Sequence, residues 1–271
     1  MTDRVLLTVS DAGVADVRLN RPDKLNAVDD AMYEALLTTW AELHARTDVR
    51  VVVLSGEGRG FCAGLDLGAF AAMADGRAFR RADADEWAAG FDLGELPAGL
   101  TRGQRVVLGL RNLPIPVVAA LHGPALGAGL QIALGAHVRI VAPSARLGQL
   151  EMEWGLTPDM AGTQLLPRLV GADVATELVL SARMVSGEEA VRIGLATRTA
   201  DDPQAAAHEL AAVIASRSPS AVRAALCMLH TDDLAAGLTE EGSFMKANVG
   251  SPDQRAAAEA RLAARRRSPP R

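Results

Sequence analysis

Three segments of this 271-residue chain hold residue types that could do chemistry. The first is Gly58-Arg59-Gly60-Phe61-Cys62-Ala63-Gly64-Leu65-Asp66-Leu67, and the second is His122-Gly123-Pro124-Ala125-Leu126-Gly127-Ala128-Gly129-Leu130-Gln131. Both are rich in glycine, which lacks a Cβ, so backbone N–H groups there can come close to a ligand and donate to it. The third, residues 148–164, sets Glu151, Glu153 and Asp159 among apolar neighbours. A carboxyl group withdrawn from water has a raised pKa and suits proton transfer. Taken singly, each segment has a plainer reading. The glycine segments also fit tight strand-to-helix turns, and the acids fit solvated groups or helix caps. Asp159 in particular stands just before an apolar helical run.

Other chemistries are excluded by pattern. The second segment has no Gly-Lys-Ser/Thr, and Ile132 stands where G-x-G-x-x-G needs its third glycine, so neither a triphosphate nor a dinucleotide loop is present. His44, His122, His137, His208 and His230 are scattered and form no H-x-x-x-H pair or Cys/His cluster, so no metal site is expected. His122 reads as a hydrogen-bonded loop residue. No Gly-x-Ser-x-Gly elbow offers a hydrolase nucleophile. Cys62 and Cys227 are too few for a disulfide framework.

Composition narrows the class further. Hydrophobic residues make up 49% of the chain and charged ones 23%, a globular profile, while aromatics at 3% leave the core to Ala, Val, Leu and Ile. The formal net charge of −5 lacks the basic excess that nucleic acid or an anionic membrane surface requires. No uninterrupted apolar run reaches the ~18 residues of a membrane span. The N-terminus has no signal-peptide pattern, so the cytoplasm is the expected address.

The elements that must position these segments alternate. Residues 5–9 and 14–20 are β-rich and flank the turn Ser10-Asp11-Ala12-Gly13, which predicts a hairpin. Asp29 caps a helix whose Tyr33, Leu36, Leu37, Trp40 and Leu43 share one face. Residues 49–54, 117–121 and 138–142 read as buried strands, and residues 130–136 as a short helix. Ser186-Gly187-Glu188-Glu189 fits a capping box, and Gly194 fits that helix's end. Residues 69–104, a helix and loop of weak periodicity, are expected to line the pocket. Met73, Phe79, Trp87, Phe91 and Leu93 are candidates for its wall, although ordinary helix packing is the better reading of any one of them alone. Residues 1–200 form the expected α/β core with the active site, and 201–271 a C-terminal helical region.

These segments, in this order, resemble the enoyl-CoA hydratase/isomerase (crotonase) family. Asn20-Arg21-Pro22-Asp23-Lys24-Leu25-Asn26-Ala27 is similar to its N-terminal motif, residues 61–67 and 123–131 to its two oxyanion segments, residues 155–164 to the loop and helix beside its active site, and residues 186–196 to a later helix. The resemblance implies an α/β fold, a spiral of ββα units with a C-terminal helical region used in trimerisation, and a homotrimer or a hexamer built as a dimer of trimers. The implied substrate is an acyl-CoA thioester, with no separate cofactor, no nucleic acid and no membrane partner. It implies oxyanion donors at the backbone N–H of Leu65 and Ala128, and CoA contacts near Lys24, Ala63, Asp66 and Leu67. It implies a proton-transfer role for Glu151. Family hydratases carry a second glutamate where this chain has Gln131, which can orient water but cannot take its proton. An acid at the Asp159 position belongs to the dienoyl-CoA isomerase branch. Isomerisation by Glu151 with Asp159 therefore has the better chemical argument, with hydration by Glu151 and Gln131 and a non-catalytic acyl-CoA binder as alternatives. The family's tail carries an aromatic followed by a basic pair that can reach CoA in a neighbouring subunit; here Arg261 stands at the aromatic's position, a departure, and Arg265 and Arg266 are the implied basic pair.

Overall fold

A computed structural model describes residues 3–75, 86–231 and 233–267. Among these residues the main sheet has six strands. Strands β1 (Val5–Val9) and β2 (Val14–Leu19) form the antiparallel hairpin expected from the Ser10–Gly13 turn. Strands β3 (Val51–Gly56), β4 (Val117–Leu121), β6 (Val138–Val141) and β9 (Arg198–Thr199) extend it in parallel.

Strand β4 is apolar throughout and β3 over Val51–Leu54, because both faces of the sheet are covered there. Val52, Leu54, Val117 and Ala119 face a large core shared with helix α1 (Asp30–Ala45) and helix α3 (Arg102–Arg111). Val51, Val53, Val118, Ala120 and Ile140 face a second core with Ala207, Ala211 and Ala215 of a helix at Pro203–Ala215. That helix, inside the expected C-terminal region, is thus part of the core packing.

A small second sheet takes the order β5-β7-β8, with β5 at Pro124–Leu126, β7 at Arg146–Gly148 and β8 at Val185–Ser186. The spiral arises because β4 runs on into β5, and β6 into β7, so each turn gives one strand to each sheet. Cys62 continues the pattern through an isolated parallel bridge to Ala125. Helix α2 (Leu67–Ala74) follows the first glycine segment, and helix α4 (Ala128–Gly135) follows the second.

The last three helices, Pro219–Leu229, Leu234–Asn248 and Pro252–Arg267, bury little. The middle one has no buried residue, and Leu229, Leu234, Leu238, Met245 and Val249 are all more than half exposed.

Candidate active site

The first glycine segment is held from behind by the N-terminal motif. Asn26 is fully buried, and its amide donates to the carbonyls of Glu57 and Gly60, both at 2.9 Å, while its oxygen accepts from the Arg21 N–H at 2.8 Å. Leu25 and Asn26 both take left-handed backbone conformations, φ +49° and +57°, which turn the chain back under the loop. Asn tolerates that region because its short side chain bonds locally. The Cys62 thiol donates to the Asn26 carbonyl at 3.0 Å. Complete burial pushes the thiol up to about 12, so it stays protonated and serves as a structural donor.

The two glycine segments are stitched together by main-chain bonds. Phe61 and Cys62 donate to the carbonyls of His122 and Pro124, both at 2.9 Å, and Leu126 donates back to Cys62 at 3.0 Å. A His122 ring nitrogen lies 2.9 Å from the Gly58 carbonyl. Two glycines permit this approach. A Cβ on Gly129 would lie 2.4 Å from the Cys62 carbonyl oxygen, and Gly64, at φ +98°, would place one 2.9 Å from the Leu126 oxygen.

This junction aims two N–H groups. Val28 donates to Gly64 at 2.7 Å and accepts from Asp66 at 3.0 Å, so both flanking bonds lie on the Val28 side of Leu65. Strand geometry then turns the Leu65 N–H the other way. Ala128 opens helix α4, so its N–H belongs to the first-turn donors that a helix leaves unpaired. Leu65 and Ala128 both line one cavity of about 410 Å³. The arrangement can offer two main-chain donors to one oxygen.

The same cavity is lined by Glu151, on a 3-10 turn at Glu151–Trp154 that follows β7. Its Oε1 accepts from Gln131 Nε2 at 2.7 Å, and its buried Oε2 has no hydrogen-bond partner among the described residues. Burial pushes the carboxyl above its ordinary range, outweighing the Gln131 bond, and the negative charge of Asp159 adds to the rise. Gln131 is itself fixed. Its Oε1 accepts from the N–H groups of Met160 at 2.9 Å and Gly162 at 3.0 Å, with Ala161 between them at φ +66°. That is an anion-type nest of N–H groups, here filled by an amide oxygen.

Asp159 lines the same cavity. It does not cap the following helix, whose N-cap is Ala161. Glu153 is exposed at the cavity edge. The Asp66 carboxylate is occupied structurally: it caps α2 through the Gly68 N–H at 2.7 Å and pairs with Arg21 at 2.6 Å, and these bonds hold it below the usual range. Ala63 and Leu67 line the cavity, and Lys24 is exposed on the short turn at Pro22–Lys24. Arg261, Arg265 and Arg266 are exposed on the last helix.

Of the candidate wall residues, Met73 lines the cavity. Trp87 and Phe91 pair edge to face outside it, Leu93 is buried against Gly109, and Phe79 lies outside the described residues. The wall is supplied instead by Phe70 stacked on Trp154, with centroids 4.1 Å apart at 19°, and by Leu156. Sequence reasoning also missed Arg102, for which no motif signals a role. It is nine-tenths buried, lies over the Tyr33 ring at 4.3 Å, and pairs with Asp30 at 2.7 Å.

A family model described as enoyl-CoA hydratase/isomerase matches residues 10–244. The chain is 34% identical over 215 residues to the short-chain-enoyl-CoA hydratase of Clostridium acetobutylicum, covering 78% of this chain and 75% of that one. It is 31% identical over 254 residues to the mitochondrial enoyl-CoA hydratase domain-containing protein 2 of Homo sapiens, covering 90% and 81%. Among solved structures, an enoyl-CoA hydratase from Bacillus anthracis superposes with a TM-score of 0.82 at 30% identity, over 96% of each chain.

Proposed function

The chain belongs to the enoyl-CoA hydratase/isomerase family, and we propose that it binds an acyl-CoA thioester with the thioester oxygen between the N–H groups of Leu65 and Ala128, while Glu151 moves a proton on the acyl chain. Removing a proton beside a thioester carbonyl moves negative charge onto its oxygen. Fixed donors at that oxygen stabilise the enolate, each by ~2.7–4 kcal/mol on mutational precedent. The observation that carries the reading is the Glu151 carboxylate: one oxygen is held by Gln131, and the other is buried in the cavity wall without a partner among the described residues. A buried oxygen left unpaired is costly, and a substrate proton is the partner such a site is suited to.

Double-bond isomerisation is the reading we favour within the family. Gln131 cannot take a proton from water, and its carbonyl oxygen is already committed to two backbone donors. Asp159 supplies a second acid along the same cavity, so a proton can leave one carbon and return at another. Hydration by Glu151, with Gln131 orienting water, is the second reading, and the names of the relatives favour it. A panel of enoyl- and dienoyl-CoA thioesters, followed by conjugation absorbance, separates the two. Isomerisation shifts the double bond with mass unchanged, whereas hydration adds 18 Da as water, a mass change fixed by the reaction itself. Silence across the panel with measurable CoA affinity would instead indicate a non-catalytic binder. We further propose a homotrimer, or a hexamer of two trimers, assembled through the exposed apolar faces of the C-terminal helices. Light scattering that returned a monomer would overturn this.

A further inference from the structure

One guanidinium joins the caps of two helices beside the Leu65 donor. Asp29 caps α1 through the Met32 N–H at 2.9 Å, and Asp66 caps α2 through the Gly68 N–H at 2.7 Å. Arg21 Nη1 lies 3.6 Å from the Asp29 carboxylate and 2.6 Å from that of Asp66, and it donates to the Ala27 carbonyl at 3.1 Å. Arg4 extends this row of charges. It bonds to Asp29, at 2.8 Å from its Nη2, and among the described residues to neither Asp66 nor Ala27.

The Arg21 contacts fall on the two segments that carry the donor. Val28 and Leu65 form a parallel bridge, closed by the bonds from Val28 to Gly64 and from Asp66 to Val28. Ala27 precedes Val28, and Asp66 follows Leu65. One nitrogen of Arg21 therefore fastens the first segment to the second alongside the two main-chain bonds. The side chains of Arg21 and Asp66 are 14% and 23% exposed, so the pair escapes much of the screening that weakens a surface ion pair. A guanidinium is planar and rigid, so it fixes position as well as charge. The Arg4 pair has no such hold on the glycine segment.

We propose that Arg21 is a positioning residue for the oxyanion donor: by locking Asp66 to Ala27 it holds the Leu65 N–H on the thioester oxygen. This rests on the assignment of Leu65 and Ala128 as donors under the proposed function. Infrared difference spectra of bound butanoyl-CoA, isotopically labelled at its carbonyl carbon, read that donor directly and need no turnover. In the intact wild-type protein the carbonyl band should lie at lower frequency than in free butanoyl-CoA, because donors at the oxygen polarise the bond. Arg21→Gln should return the band part of the way and leave the share of Ala128. It should also lower kcat by ~10–10²-fold, the cost of a misplaced group, with butanoyl-CoA affinity changed far less. Asp66→Asn keeps an oxygen for the Gly68 N–H and loses the charge, so it should reproduce both effects. The double variant should add little to either single one. Arg4→Gln removes a pair from the same row without touching the bridge. It should lower thermal stability and leave the band in place. A band at the wild-type position in Arg21→Gln and Asp66→Asn overturns the proposal, and so does an equal displacement in Arg4→Gln. If Arg21→Gln does not fold, Asp66→Asn decides. A wild-type band no lower than that of free butanoyl-CoA overturns instead the donor assignment on which the proposal rests.

Discussion

The two sides of the cavity are built in opposite ways. On the glycine side, the groups proposed to face the ligand are main-chain N–H donors, and side chains such as Asn26, Cys62 and Arg21 hold their loop from behind. On the Glu151 side, the backbone works from behind and side chains line the cavity: Met160 and Gly162 hold Gln131, which holds Glu151. The comparison teaches where substitution should hurt. The glycine side should tolerate changes in the residues that carry the donors and fail when their supports change. The Glu151 side should fail when the side chains themselves change chemistry.

The largest effect should come from Glu151→Gln. Loss of a positioned proton-transfer group costs ~10²–10⁴-fold in rate, and kcat should fall by that range while CoA affinity holds. Full activity in this variant on every thioester the wild type processes would remove Glu151 from the mechanism. The next largest should come from Gly64→Val on the other side. It forces a β-branched residue to φ +98° and drives a side chain into the Leu126 carbonyl. Misplacing one oxyanion donor costs ~10²–10³-fold in kcat. If Gly64→Val folds and turns over like wild type, the two loops do not need their close approach.

Asp159→Asn sharpens the comparison within the acid side. A double-bond shift using two acids should lose ~10²-fold or more by the usual cost of a proton-transfer group, whereas hydration through Glu151 should change little. Product analysis of the same variant on both substrate types gives the answer directly.

Much of the framework was legible in the sequence. The β1–β2 hairpin follows from alternation around Ser10–Gly13, β4 from an unbroken apolar run after Pro116, and α1 from Asp29, which accepts the Met32 N–H at 2.9 Å. The start of α4 was two residues off, at Ala128 instead of Leu130, because glycines mask a helix start by their low propensity. The cavity wall was harder to read. Phe70, Arg102 and Trp154 come from three elements far apart in sequence, and although Trp154 stands in the acid-bearing segment, nothing in the pattern there marks it as a wall residue. A stack such as Phe70 on Trp154 exists only once α2 and the 3-10 turn meet. Asn26 illustrates the opposite case: its motif was visible, but its work, three bonds behind the glycine loop, belongs to the folded chain.

The pH dependence of Gln131→Met links the two sides at moderate cost. The reacting form of Glu151 as a base is the carboxylate, so kcat/KM should rise with pH through its pKa. Burial raises that pKa and the Gln131 bond opposes the rise. Methionine removes the bond, so the pKa climbs further and the acid limb of the profile should move to higher pH. The N–H groups of Met160 and Gly162 also lose their acceptor, at ~1–3 kcal/mol each, and thermal stability should drop. A variant that is less stable but has an unmoved acid limb would mean that Gln131 only supports the Met160–Gly162 turn.

The smallest effect should be Leu65→Ala, on the glycine side. It keeps the N–H and the Val28 bridge and trims only an apolar wall. Partial loss of a half-buried leucine's contact area, at ~25 cal/mol per Å², should weaken substrate binding by a few-fold and leave kcat nearly unchanged. The same alanine substitution at Glu151 removes the reacting group itself. If Leu65→Ala lowered kcat as much as Gly64→Val, the leucine side chain would be part of what positions the donor, and the division between a main-chain side and a side-chain side would not hold.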